Sequence, residues 1–384
     1  MESICTKKRI TVIFAADGGS MKATGKKRKR TNNRVTLGDI AQHCNVSKAT
    51  VSRVLNERLN EFPVSEEMIL RVKDAAEQLD YRPNRLARAI RSQRTHLVGL
   101  SCIHMDAHSF TADAEADDNQ ILGQFSNIIL SHPDFKDYDL VIHDRKESEG
   151  QLLKLSDFKS DLLDGMIYLT PSEDHHEFLE MASKDFPIIL LGQLAGAEEK
   201  VPCIDINNRK MGKQAVEHLI GLGRRNILML IPEKLQHINC IQDRLQGYRD
   251  ALTENGIQIT DKYICPVRCL KENVAAFFED LRCLEEVDAI FCANDDLAAF
   301  CIAPLKAMGR RIPEDVALIG FSDALICQHT HPTLSSVRRA AKDQAHAAID
   351  LLLRILNKET PYEPGFHEIE TELVIRESTV ASNL

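Results

Sequence analysis

No stretch of this 384-residue sequence approaches the run of about 18 apolar residues that a membrane-spanning helix requires. A helical membrane protein is excluded on that ground, and no membrane partner is expected. Glycine-rich phosphate cradles are missing too. Neither G-x-G-x-x-G nor G-x-x-x-x-G-K-[ST] follows any strand-like run, so nothing supports a dehydrogenase or an NTPase. Metal-ligand spacing is equally scarce: of 11 cysteines, Cys265 and Cys269 come closest to a pair, and no second pair lies at zinc-site distance. His175 and His176 are adjacent, and neighbouring residues on a helix point about 100° apart, which sets them poorly for chelation. No grouping of nucleophile, base and oxyanion donor stands out. The expectation is a protein with no enzyme activity, no metal and no cofactor, its cysteines reduced and mostly buried.

What the chain has is size and an uneven charge. Its length suits two or three domains, and 43% hydrophobic with 27% charged residues allows a well-buried core. Residues 21–94 hold 17 Lys+Arg against 8 Asp+Glu, whereas residues 95–384 hold 28 against 47. A basic head on an acidic body points to a polyanionic partner for the head, unless it is simply a basic disordered tail; residues 1–34 are expected to be a basic, unstructured extension. The apolar segment ITVIFAA (10–16) follows Lys7, Lys8 and Arg9 but is at the short limit for a secretory signal, with basic residues after it. It is expected not to be one, and Met21 is an alternative start.

Within the head, Thr36 with Asp39 three positions later forms a capping-box signature. Ile40, Ala41 and Cys44 then share one face. Asn45 tolerates the left-handed backbone of a tight turn, and Ser47 can cap a second helix with Val51, Val54 and Leu55 on its apolar side. Lys48, Ala49, Ser52, Arg53 and Asn56 point the other way. Two short helices about a tight turn make a helix-turn-helix, closed by a third helix from Ser65 carrying Met68, Ile69, Val72, Ala75, Ala76 and Leu79. A helix exposing small and polar side chains can enter the DNA major groove. Beyond Pro83, Arg85, Arg88, Arg91 and Arg94 recur every three residues. That segment is either a short helix that folds with DNA and a second copy present, or a basic linker.

From His96 onward strand-like runs alternate with helix-length segments: HLVGLSCI, YDLVIHD, GMIYLT, PIILLG, NILMLI, AIFCAND and VALIGF. That rhythm predicts α/β units around parallel sheets. Asn294, Asp295 and Asp323 fall at strand ends, where open sheets place ligand contacts; Asp295 also reads as an ordinary helix cap.

The strings VTLGDIAQHCNVSKATVSRVLN and VSEEMILRVKDAAEQLDYRPNRLARAIRSQRTHLVGL resemble the lactose-repressor (LacI/GalR) family of bacterial transcription regulators. The resemblance continues through DGMIYL, VEHLIGLG, RLQGYRDAL, FCANDDLA, RRIPEDVALIGF, HPTLSSVR and LVIREST, from Val35 to the C-terminus. It implies an N-terminal all-α helix-turn-helix domain (35–82), a hinge (83–96) and an α/β periplasmic-binding-protein-like core of two Rossmann-like subdomains. These would comprise residues 97–193 with 338–362, and residues 194–337 with 363–384.

The same resemblance implies a cytoplasmic homodimer bound to a near-palindromic double-stranded DNA operator and controlled by a small-molecule effector. Ser47, Lys48, Ala49, Thr50, Ser52, Arg53 and Asn56 map onto DNA contacts, with Lys48 and Ala49 as the variable pair and Arg53 reading a guanine. Asn84, Arg85, Ala87 and Ile90 would lie in the minor groove, Ile90 replacing the usual wedge Leu. In the core, Gln193, Arg244, Asn294 and Ser322 map onto effector contacts. Ser322 stands where the family generally has Asp. Either Asp323 beside it or a water fills in for the carboxylate, or the pocket takes a different effector class. The expected function is an effector-controlled repressor. The alternative is a soluble small-molecule sensor that acts through a protein partner without specific DNA binding.

Overall fold

The computed structural model describes residues 11–13, 35–55, 64–81, 89, 94–102, 117–143, 162–169, 182, 186–280 and 285–380. These residues fall into two units that separate between Thr95 and His96. No helix of the described residues is long and apolar enough to cross a membrane.

The described residues of the N-terminal unit include three helices, each started by the cap its sequence announces. Strand β1 (Thr11–Ile13) precedes it in sequence but belongs to the second unit. Helix α1 (Leu37–His43) begins at Thr36, whose hydroxyl accepts from Gly38 N at 3.2 Å while Asp39 accepts from Thr36 N at 2.7 Å. These two bonds satisfy donors that a helix start leaves open. Asn45 turns the chain at φ 51°. Helix α2 (Lys48–Leu55) starts on Ser47, whose hydroxyl accepts from Thr50 N at 3.0 Å. Helix α3 (Glu66–Gln78) is capped by Ser65. Ile40, Cys44, Val51, Val54, Val72 and Ala75 are buried together between the three.

The second unit contains two sheets. In the first, β1, β2 (Leu97–Cys102), β3 (Asp139–His143), β4 (Gly165–Leu169), β5 (Ile188–Leu191), β6 (Pro202–Asp205) and β12 (Gly365–Glu368) run parallel in the order β1-β3-β2-β4-β5-β6-β12. The second sheet holds β7 (Ile227–Pro232), β8 (Ile264–Val267), β9 (Ala289–Cys292), β10 (Ala317–Ser322), β11 (Ser335–Arg338) and β13 (Leu373–Val374). Its order is β13-β11-β10-β9-β7-β8, antiparallel only at β13. Strands such as GMIYL and AIFC are buried at every residue, as parallel strands covered on both faces must be.

Helices α4 (Asp117–Ser131) and α9 (Ala341–Leu356) pack Phe125, Ile129, Ile349 and Leu352 on the first sheet. On the second sheet, α5 (Asn208–Gly221) and α6 (Asn239–Glu254) cover one face. Helices α7 (Lys271–Asp280) and α8 (Asp295–Ala307) cover the other.

The chain passes between the sheets three times, at 205–208, 338–341 and 368–373. Two of these places differ from the boundaries read in the sequence. The first sheet does not end near residue 193, because β6 pairs with β5. Nor do residues 363–384 leave it at once, because β12 returns beside β6 before β13 joins the other sheet at the third crossing. Both strands are only four residues long and follow turns, so neither carries a run that stands out. A third correction concerns residues 11–13. Within an extension expected to be unstructured, this Thr-Val-Ile segment pairs in parallel with β3. Its residues are β-branched and the edge of β3 is otherwise open, which is where such a segment gains most.

Candidate DNA-reading face and effector cleft

On α2, the apolar stripe of Val51 and Val54 turns inward, and this orients everything else. Ser47, Lys48 and Ala49 are exposed, and Thr50, Ser52 and Arg53 are half-buried. The first turn is fixed by Ser47, which holds both Thr50 N and, at 2.9 Å, the Thr50 hydroxyl. Lys48 reaches back toward α1 and, with the Thr36 backbone N–H as the larger cause, helps hold the Asp39 carboxyl below its ordinary range. Six of the eleven positions mapped to DNA thus lie on one small helix and its cap. Asn56, Asn84, Arg85, Ala87 and Ile90 lie outside the described residues.

In the core, a cleft opens where the crossings bring the two sheets together. Its apolar wall includes Ile121 and Phe125 of α4, Leu169, Leu191, Ile206 and Ile238. Its polar lining is Gln193, Asp205, Asn208, Arg244, Arg339 and Gln344. Of the four positions mapped to an effector, the structure therefore brings Gln193 and Arg244 to the cleft.

Arg244 is positioned by tight helix packing. Gly212 of α5 and Gly247 of α6 face each other's backbones, and a Cβ at Gly212 would sit 2.8 Å from Arg244 O. Side-chain contacts finish the placement: Nε donates to Asn208 Oδ1 at 3.0 Å, Nη1 donates to Ala293 O at 2.7 Å, and Cζ stands 3.7 Å from the Phe321 ring centroid. Only 3% exposed, this cation is held by a carbonyl, an amide and a ring face.

Asn294 and Ser322 each follow a residue that Arg244 touches, yet neither lines the cleft. Asn294 is the N-cap of α8, accepting from Leu297 N at 3.0 Å, so the cap role expected of Asp295 falls one residue earlier. Asp295 instead accepts from Ala324 N at 2.7 Å and Ser336 Oγ at 2.6 Å. Ser322 sits at φ 136° with its hydroxyl buried and unpartnered. Asp323 is committed elsewhere, accepting from Arg376 Nη2 at 2.6 Å and Arg338 Nε at 3.4 Å.

Sequence reading missed Asp205, Asn208, Arg339 and Gln344, which all sit on or beside the crossings. Asp205 accepts from Ile206 N, Asn208 Nδ2 and Gln344 Nε2, each at 2.8 Å. Burial pushes its carboxyl up to about 6, against the pull of the Ile206 N–H, Arg244 and Arg339. The available signal was a polar DINN directly after a strand, where open sheets carry ligands.

A second cluster, His132, Asp134 and Asp350, brings ligand atoms within 4.8 Å of one another. His132 Nδ1 accepts from Asp134 N at 3.3 Å, which leaves the ring proton on Nε2, 3.2 Å from Asp350. Such a ring joins the end of α4 to α9 and offers a metal no free nitrogen.

A helix-turn-helix unit on the same chain as a two-sheet, three-crossing core with a cleft defines a class, that of ligand-responsive DNA-binding regulators. Residues 36–84 match the family "Bacterial regulatory proteins, lacI family", and residues 216–379 match a periplasmic binding protein-like domain. The regulator CelR of Thermobifida fusca is 31% identical over 347 residues, spanning 90% of this chain and 98% of CelR. A solved CelR–cellobiose complex superposes with a TM-score of 0.63 at 28% identity, over 90% of this chain and 100% of that one. A lac repressor dimer bound to operator and the anti-inducer ONPF gives 0.75 over 91% and 100%; at 22% identity it shows the fold alone. The chain belongs to the LacI family of DNA-binding transcription regulators, with an effector-binding core, and is not an enzyme.

Proposed function

We propose that the chain is a homodimeric, cytoplasmic repressor whose affinity for a near-palindromic operator is set by a small molecule in the core cleft. The observation that carries this reading is the face of α2. Its capped first turn and the exposed Lys48 and Ala49 lie opposite the Val51–Val54 stripe, free to meet base edges. Arg53 reads a guanine through its fork. Asn84, Arg85, Ala87 and Ile90 of the hinge contact the minor groove, with Ile90 as the wedge. Gln193 and Arg244 hold the effector from the cleft wall. The CelR–cellobiose complex of a relative supports a carbohydrate or related metabolite as the ligand.

A ligand shifts operator affinity only as far as it prefers one arrangement of the two subdomains over the other. The test is to select an operator from random DNA and measure its affinity across ionic strength. Binding should weaken steeply as salt rises, because neutralised phosphates release counterions. Affinity that stays flat between low and moderate salt would remove the DNA reading.

A further inference from the structure

A cleft selects its ligand through the donors and acceptors its walls leave unused. Here the charged part of that inventory is one-sided. Arg339 contributes a guanidinium group, which donates and never accepts, and Arg244 adds a second positive charge whose Nε and Nη1 are held by Asn208 and Ala293. The lining has one carboxylate, Asp205, and three protein donors at 2.8 Å already engage it. Asn208 Oδ1 is taken by Arg244 Nε at 3.0 Å. Asp323, the other carboxylate that could grip sugar hydroxyls, lies off the lining and is bound to Arg376 at 2.6 Å.

Arg339 completes the imbalance. Its backbone N–H donates to Ser322 O at 3.1 Å, and its charge reaches Asp205. Among the described residues, no group accepts a hydrogen bond from its guanidinium. Its neighbour Arg338, by contrast, pairs with Glu372 and with Asp323 at 3.4 Å. Two cations thus face the cleft against one carboxylate whose oxygens are turned to the protein.

The geometry points to an anionic effector: a sugar bearing a carboxylate or a phosphate, bonded through that group to Arg339 in the cleft that Arg244 also lines. This rests on the reading of the cleft as the effector site. The amides of Gln193 and Gln344 can meet sugar hydroxyls, which a neutral sugar and its acid share, so hydroxyl recognition does not separate the two. What separates the two is the acid's charged group, which presents acceptors only, and the planar guanidinium fork fits carboxylate and phosphate alike. Phe125, Ile121 and Leu169 supply the apolar surface against which the ring rests.

The experiment is calorimetric titration and thermal shift of the full chain with matched ligands: glucose and galactose, glucuronate and galacturonate, and glucose 6-phosphate, with inorganic phosphate and acetate as bare charges. The expected result is binding by a sugar acid or a sugar phosphate but not by its neutral parent, the responding arm identifying the charged group. Arg339→Gln should weaken that binding roughly tenfold or more, and Arg339→Lys should restore part of it. Melting without ligand checks that both variants fold. Equal or tighter binding of a neutral parent would overturn the anionic class while leaving the cleft an effector site. Undiminished binding of the acid by Arg339→Gln would do the same. Inorganic phosphate or acetate binding as tightly as the sugar anion would overturn the sugar part. No response to any ligand would overturn the effector-site reading together with the class.

Discussion

Asp205 and Gln344, 139 residues apart in sequence, meet at 2.8 Å through carboxylate and amide. One stands at the first crossing between the sheets and the other just after the second. The Asp205 carbonyl also accepts from Ile369 N at 2.8 Å, at the third crossing. All three connections about which the subdomains can turn are therefore tied to a single buried residue. Removing the Gln344 amide leaves a buried carboxylate short of a donor. Gln344→Ala should cost about 1.5–3 kcal/mol of stability, the range for hydrogen bonds to charged groups. Urea unfolding measures it, and a midpoint unchanged from wild type would show that the bond contributes nothing.

The same residue gives the protein a defined response to pH. Burial raises the Asp205 carboxyl from its ordinary 3.8 to about 6, so the folded state holds this proton more tightly than the unfolded state. Its contribution to stability is then fully present below pH 3.8 and is lost as pH rises through about 6. The unfolding free energy of wild type minus that of Asp205→Asn, which cannot titrate, should fall across that window and level off above it. A difference that rises with pH would mean that the donors around Asp205 outweigh its burial.

Local signals were legible in the sequence, and assembled ones were not. Thr36 with Asp39, Ser47 and Asn45 each act within three or four residues, and each appears in the structure with the role its spacing implied. The strand–helix rhythm likewise gave the two parallel sheets, since buried parallel strands are continuous apolar runs. The cleft is different. Arg244 reaches Asn208 across 36 residues, and Asp205 reaches Gln344 across 139, so no window of sequence contains the pair. Arg338 and Arg339 are adjacent and look alike, yet one pairs with Glu372 and the other lines the cleft. Asn294 shows the converse case. A residue mapped to the ligand by its motif is occupied in capping a helix.

Helix α6 carries Arg244 to the cleft only because α5 lets it approach. A Cβ at Gly247 would run into Arg209 O and Lys213 N, backbone atoms that cannot swing aside. Gly247→Ala should therefore force the helices apart, destabilising the core by about 1–3 kcal/mol or more. It should also weaken ligand binding at the cleft, because Arg244 rides on the displaced helix. Gly221→Ala, in open space at the end of α5, is the control and should be close to neutral. Equal melting temperatures for the two variants would show that the interface relaxes freely.

Arg53 distinguishes reading bases from merely holding phosphates. It lies in the last turn of α2, half-buried, one turn beyond the exposed Lys48 and Ala49. A bidentate contact to guanine contributes discrimination against other bases, about 1–3 kcal/mol for a good pair. A phosphate contact weakens all sequences equally when removed and lowers the salt slope by about one. Arg53→Ala should therefore bring the affinities for selected operator and random DNA closer together by roughly tenfold or more, with little change in salt slope. Competition binding of both DNAs at two or more salt concentrations separates the cases. If operator and random DNA lose affinity in parallel, Arg53 holds the backbone, and base reading falls to Lys48 and Ala49 at the other end of the helix.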